Sequence, residues 1–279
     1  MSSEHAGKNR HNPLGQAVEY ACVYDPGLLF PIPRGDTRAG LGLTASLPFT
    51  GCDVWNAWEV SWLEPGGKPR VARARLQLPV ASPNLVESKS LKLYLNGFNQ
   101  ERFEHPDDVA AVIARDLSAA AGARVAVELV APDAGDLPLQ APPGQCLDDI
   151  ALVVREYQAA PELLLLDQRR GTVEESVHSH LLRSLCPVTG QPDWGTLAVS
   201  YAGPAIDHAA LLGYIISFRQ HQDYHEHCVE RMFVDIHRLC TPDRLTIEAR
   251  YLRRGGLDIN PFRSSEADAA PAHGRWYRQ

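Results

Sequence analysis

The sequence predicts an α+β protein built from antiparallel sheets with helix pairs on one face, and in it the same order of elements occurs twice. Three observations carry this. Alternating apolar and polar residues from Val54, and strand-like composition again from Val173, give the pattern of half-buried strands. Helix-periodic stretches follow in each half, near Glu87 and Pro106 and then near Asp207 and Val229, and alternation returns at Val125 to Leu129 and at Leu245 to Tyr251. Hairpins flanking a helix pair give antiparallel sheets covered on one side. The halves share no obvious residue identity, so the repeat is one of pattern.

Taken in order, residues 1–45 carry Pro26, Pro31, Pro33, Gly35 and Gly40 with little periodicity, and read as an arm wrapping a folded body. Residues 46–167 form the first module. Its hairpin alternates through Trp58, Val60 and Trp62, turns at Glu64-Pro65-Gly66-Gly67-Lys68 and returns from Val71 to Leu78. A helix follows over Glu87 to Leu95. A second starts at Pro106-Asp107-Asp108, presents Val109, Val112, Ile113 and Leu117 on one face and ends at Gly122. Residues 131–145 are a proline-rich loop, and 147–157 read as one more strand.

Residues 168–279 form the second module, with strands at Val173 to Leu182 and Thr196 to Tyr201 joined by a loop at Cys186. Asp207 is placed to cap a helix carrying Leu211, Leu212, Ile215 and Phe218, and Val229 to Leu239 marks another. Past Phe262 the tail is polar and small, and is expected to be loose.

A formal charge of -7 without long like-charge runs argues for small-molecule partners rather than nucleic acid or anionic membrane. Six cysteines (Cys22, Cys52, Cys146, Cys186, Cys228, Cys240) are spread without a C-x-x-C pair, which is neither a disulfide framework nor a zinc ribbon. No apolar run has the length of a signal peptide core or a membrane span, so a cytoplasmic chain with free thiols is expected.

Four stretches could carry chemistry. In Leu185-Cys186-Pro187-Val188-Thr189-Gly190-Gln191-Pro192-Asp193 two prolines stiffen a loop holding a thiol and a carboxyl. The plain alternative is a buried cysteine and a turn-capping aspartate. Glu87-Ser88-Lys89-Ser90 opens a helix, a place suited to anions. Tyr224-His225-Glu226-His227-Cys228 invites a metal reading, but neighbouring helix positions diverge. Glu226 accepting paired hydrogen bonds from a guanine-like ring, with Tyr224 as a stacking surface, fits better. Arg253-Arg254-Gly255-Gly256 offers a flexible cationic approach to phosphate.

Together these stretches resemble the NADPH-dependent 7-cyano-7-deazaguanine reductases of queuosine biosynthesis in their long, two-module form, from about Leu41 to Arg263. The motifs that match are Glu87-Ser88-Lys89-Ser90-Leu91-Lys92-Leu93-Tyr94, Cys186 with Asp193, His225-Glu226, and Arg253-Arg254-Gly255-Gly256-Leu257-Asp258. The resemblance implies tandem tunnelling-fold modules, a homodimer, NADPH as cofactor and no metal. It implies Cys186 as the nucleophile that adds to the nitrile and Asp193 as proton donor, for which a raised carboxyl pKa would help. Val86, Glu87, Ser88, His225 and Glu226 match substrate positions, with Tyr224 standing where phenylalanine is expected. Ser88, Lys89, Arg254 and Gly255 match cofactor positions. A cysteine-dependent amidohydrolase and a non-enzymatic purine- or pterin-binding module remain as alternatives.

Overall fold

A computed structural model describes residues 23–43, 46–135 and 137–279. In chain order the elements of the first half are β1 (Pro31–Pro33), α1 (Gly35–Gly40), β2 (Thr50–Leu63), β3 (Pro69–Pro79), β4 (Asn84–Val86), α2 (Ser88–Asn96), α3 (Pro106–Ala121), β5 (Ala126–Val130), β6 (Leu139–Gln140) and β7 (Gln145–Cys146). They are followed by β8 (Thr172–Ser179), β9 (Arg183–Leu185), β10 (Pro192–Pro204), α4 (His208–Ser217), α5 (His225–Cys240), β11 (Arg244–Tyr251), β12 (Leu257–Ser264) and β13 (Arg275–Trp276). Strands followed by a helix pair thus occur in that order twice.

One nine-stranded sheet runs β5-β3-β2-β12-β11-β10-β8-β7, with β9 attached to β10. Register fixes which side chains share a face. Trp55 lies opposite Leu76 and Ile259, and Val199 lies opposite Ile247 and Val177. These residues belong to two apolar clusters, one filled by α2 and α3 (Leu91, Tyr94, Ile113, Leu117) and the other by α4 and α5 (Leu211, Ile215, Met232, Phe233). Both helix pairs therefore cover the same face, as alternation along each strand requires.

The opposite face is polar and buried, with Asn56, Glu248, Arg250, Asp258 and Asn260. Such groups need partners, and the chain end supplies them. Arg250 donates to the carbonyls of Ala272 and Gly274 and stacks on Trp276, and Gln279 Nε2 donates to Asn260 Oδ1 at 2.6 Å. The tail is consequently packed rather than loose: Trp276 is 2 % exposed and β13 pairs in parallel with β6. Strand β12, unread in the sequence, is buried along its whole length between β2 and β11. A second correction concerns 147–157, which forms no strand. Asp148 accepts from Ser179 Oγ and the His180 backbone, which turns the chain away from β8, and Val153 is left exposed.

The described part of the arm is anchored by charge. Arg34 meets Asp53 at 2.6 Å, Arg38 meets Glu230 at 2.7 Å, and Arg263 bridges Asp53 at 2.8 Å and Glu230 at 3.0 Å, all in the interior. Burial alone would raise the Glu230 carboxyl, but Arg263, Arg38 and Arg34 outweigh it and hold it down to about 2. Strand β1 pairs with β4, and the Phe30 carbonyl accepts the Glu87 N–H at 2.9 Å. The arm thereby fixes the entrance to α2.

Candidate active site

The entrances of α2 and α5 face each other across a cavity of about 380 Å³, closed by the loop after β9 and by the segment between β11 and β12. Residues distant in sequence meet there because β12 inserts between β2 and β11 and joins the halves.

The cysteine loop is a hairpin loop between β9 and β10, where Leu185 pairs with Pro192. Cys186 N–H donates to the Gln191 carbonyl at 2.9 Å and Gly190 N–H to the Cys186 carbonyl at 3.0 Å, so both backbone groups of Cys186 are held. Gly190 has φ +67, a region that favours glycine. Leu185 N–H donates to the His221 carbonyl and Asp223 N–H to the Leu185 carbonyl, which ties the loop to the start of α5. Cys186 is a free thiol, 8 % exposed, on the cavity wall.

Asp193, the second residue of β10, opens on the same cavity. His225 Nε2 lies 3.3 Å from its Oδ2, and Arg254 contacts its Oδ1 while donating to Gln191 Oε1 at 2.5 Å. Burial pushes the carboxyl up, but contact with His225 and the charges of His225 and Arg254 prevail, and the pKa is lowered. A raised pKa, which would help Asp193 donate a proton, is not what its surroundings give: they favour the ionised form. His225 is held in turn by stacking on Tyr251, with ring centroids 3.9 Å apart.

Glu226 sits in the first turn of α5, 2 % exposed, with Oε1 buried and unpartnered. Burial, and then the charge of Asp53, raise its pKa. Tyr224 is the residue before α5; burial and then the charge of Glu87 raise its phenol, and its ring packs edge-on against His227. Glu87 caps α2, its two carboxylate oxygens accepting from Lys89 N–H at 2.8 Å and Ser90 N–H at 2.7 Å. Val86 and Ser88 complete that wall. A thiol, a carboxylate proton acceptor and a recessed carboxylate with a spare oxygen suit nucleophilic addition to a polar planar ring.

Comparison with known proteins gives the family. Residues 20–129 match the family described as nitrile reductase, 7-cyano-7-deazaguanine-reductase N-term, and 192–270 match the QueF-like protein family. The NADPH-dependent 7-cyano-7-deazaguanine reductase of Burkholderia ambifaria is 53 % identical over 270 residues, covering 96 % of this chain and 98 % of its own. That of Bordetella pertussis is 54 % identical over 268 residues, with the same coverage. The chain belongs to the 7-cyano-7-deazaguanine reductase family. Among solved structures, the archaeosine synthase QueF-Like in the apo form is similar over 34 % of this chain and 92 % of its own at 14 % identity and a TM-score of 0.30, a likeness too slight to bear on the fold.

Of the residues that the reductase resemblance singled out, Val86, Glu87, Ser88, Lys89, Cys186, Asp193, Tyr224, His225, Glu226 and Arg254 all line the one cavity. Gly255 does not; it lies on an adjoining groove that shares Lys92. Sequence reading missed Trp55, Asp223 and Lys92 on the cavity wall. Burial, and then the nearby charge of Arg254, lower the Lys92 ammonium pKa. Lys92 follows Lys89 by three residues, a helical-face spacing that could have flagged it. Trp55 carried no comparable signal, because its alternation reads only as core.

Proposed function

We propose that this chain reduces the nitrile of 7-cyano-7-deazaguanine to 7-aminomethyl-7-deazaguanine with NADPH, through a covalent thioimide on Cys186, in queuosine biosynthesis. The observation that carries the proposal is the convergence of Cys186, ionised Asp193 and the unpartnered Glu226 Oε1 on one cavity. Full-length relatives named for this activity support it.

Asp193 takes the proton from Cys186 as the carboxylate that shares its cavity; the contacts that lower its pKa keep it ionised before the transfer. The thiolate adds to the nitrile carbon as the carbon–nitrogen triple bond becomes a double bond. The nitrogen receives the proton back from Asp193, leaving a neutral thioimide and a carboxylate. Glu226 accepts the ring N–H and exocyclic amine in a fork, and Tyr224 stacks on the ring.

Ser88 and Lys89 at the N-terminus of α2, with Arg254 and Gly255, are the groups that would hold NADPH. The fit rests on Gly255, φ +58, where a Cβ would come within 3.2 Å of Lys92 Nζ and narrow the groove. Each NADPH bound there would supply one hydride, so two in succession would furnish the four electrons. The first reduction leaves a thiohemiaminal whose carbon–sulfur bond breaks to return the Cys186 thiolate, and the second completes the amine.

We read the working unit as a cytoplasmic homodimer acting on the free base; the charge of -7 supports a small molecule over a nucleic acid. Following NADPH absorbance tests the function. Oxidation that requires the nitrile, with two NADPH consumed per nitrile, is the expected result. Ammonia release with NADPH untouched would mark an amidohydrolase and overturn the reading.

A further inference from the structure

On the polar face of the sheet, away from the catalytic cavity, Cys146, His178 and His180 each direct one potential ligand atom into a common space, all within 4.8 Å of one another. Two features of the backbone bring them together. Cys146 lies opposite His178 in the parallel β7–β8 pair, and His180, one residue past the end of β8, brings its ring within 5.2 Å of that of His178. Gly144, at φ +74, lets the chain approach β8: a Cβ there would lie 1.8 Å from the Ser176 carbonyl oxygen. A larger residue would hold Cys146 away from the histidines.

The rings are already oriented. His178 Nδ1 is 2.9 Å from the Pro143 carbonyl, which only accepts, so Nδ1 carries the proton and Nε2 presents its lone pair. His180 Nδ1 is engaged 2.9 Å from Thr196 Oγ1, leaving its Nε2 outward. The Tyr277 ring packs edge-on against His180 with centroids 5.2 Å apart, and Arg278 donates to the His180 carbonyl. Cys146 is an exposed free thiol. One thiolate and two imidazoles are a donor set for a borderline-soft divalent ion, and zinc takes such sets tetrahedrally. With bonds of about 2.0–2.1 Å to nitrogen and about 2.3 Å to sulfur, the donors would stand about 3.3–3.6 Å apart. Rotation of the exposed Cys146 side chain on its two-residue edge strand, with a small tilt of the part-buried His180 ring, would close that difference.

We propose that Cys146, His178 and His180 bind one Zn²⁺ ion, with a fourth position open to water. The ion would pin the edge strand β7 to β8 and, through Tyr277 and Arg278, secure the chain end that covers the polar face. It takes no part in the nitrile chemistry.

The test uses the full chain carrying Cys186→Ala, so that the catalytic thiol does not compete, stripped of metal by chelation. Co²⁺ serves as a spectroscopic probe. The proposal expects one equivalent bound with tetrahedral d–d bands and a thiolate-to-cobalt charge-transfer band. Zn²⁺ should displace the Co²⁺ and protect Cys146 from iodoacetamide, read by peptide mass spectrometry. Adding Cys146→Ser should abolish the charge-transfer band and weaken Zn²⁺ binding at least tenfold, measured against a chromogenic chelator. A charge-transfer band that survives Cys146→Ser, or Cys146 alkylation that ignores Zn²⁺, would overturn the proposal.

Discussion

Glu226 is a carboxylate in a place that disfavours its charge, since burial and Asp53 raise its pKa above the ordinary 4.5. A group shifted this way opposes folding as pH rises past 4.5 and the unfolded state ionises first. Glu226→Gln removes that charge, so the ligand-free variant should melt about 2 °C higher at neutral pH, read by calorimetry. The same change places an NH₂ donor against the donors of the ring. Loss of a charged hydrogen bond costs about 1.5–3 kcal/mol, so substrate affinity should fall about tenfold to a hundredfold in a Cys186→Ala background. Lower stability with unchanged affinity would assign ring recognition elsewhere. Asp193 lies at the other pole. In the proposed mechanism it accepts the thiol proton as an ionised carboxylate, so Asp193→Asn should slow adduct formation about 10²-fold or more in stopped-flow measurements, with binding retained. The thiol and carboxyl were legible from a loop stiffened by two prolines. The direction of the Asp193 shift was not, because Arg254 and His225 reach it from 61 and 32 positions away.

The two helix entrances set the site through their first turns. Glu87 spends both carboxylate oxygens on capping α2, and Phe30 and Ser90 lock its backbone to the arm. Opposite, the glycine pair after β11 lets Arg254 turn back onto Asp193. Gly255→Ala forces a left-handed residue, costing about 1–2 kcal/mol, and crowds Lys92. The variant should raise KM for NADPH severalfold, with a smaller loss in the rate of thioimide formation without NADPH through Arg254 and Asp193; equal loss of both would show that Gly255 does not serve the cofactor. Helices, long strands and the cysteine hairpin were readable from periodicity and turn residues. Strand β12 was not, since Leu257-Asp258-Ile259-Asn260 is a short alternation that Pro261 breaks and Phe262-Arg263 reverses, and its buried Asp258, Asn260 and Arg263 are satisfied by partners far along the chain. The apolar run at 147–157 misled because a strand also needs a free edge, which Asp148 denies it.

Across the molecule, one sheet carries both halves, and β12 from the second half supplies Leu257 and Ile259 to the apolar cluster of the first. We place the module boundary near 168, within the long connection before β8. The buried group of Arg34, Arg38, Asp53, Glu230 and Arg263 couples arm, sheet and α5, and sequence alone could not assemble it from charges scattered over some 230 positions. Glu230 is held down to about 2 from an ordinary 4.5, so its contribution is complete above 4.5 and lost as pH falls toward 2. Glu230→Gln should cost about 3–5 kcal/mol at neutral pH by leaving arginines uncompensated, and should flatten the acid limb of the stability curve measured by denaturant titration. A variant with the parent's acid limb would remove Glu230 from that role. The central claim, covalent capture by Cys186, is tested most directly by intact-protein mass spectrometry after incubation with 7-cyano-7-deazaguanine and no NADPH. The account predicts a gain equal to the whole nitrile, located at Cys186, absent in Cys186→Ala and discharged when NADPH is added. An adduct that persists in Cys186→Ala, or turnover by the parent chain with no adduct at any time, would contradict it.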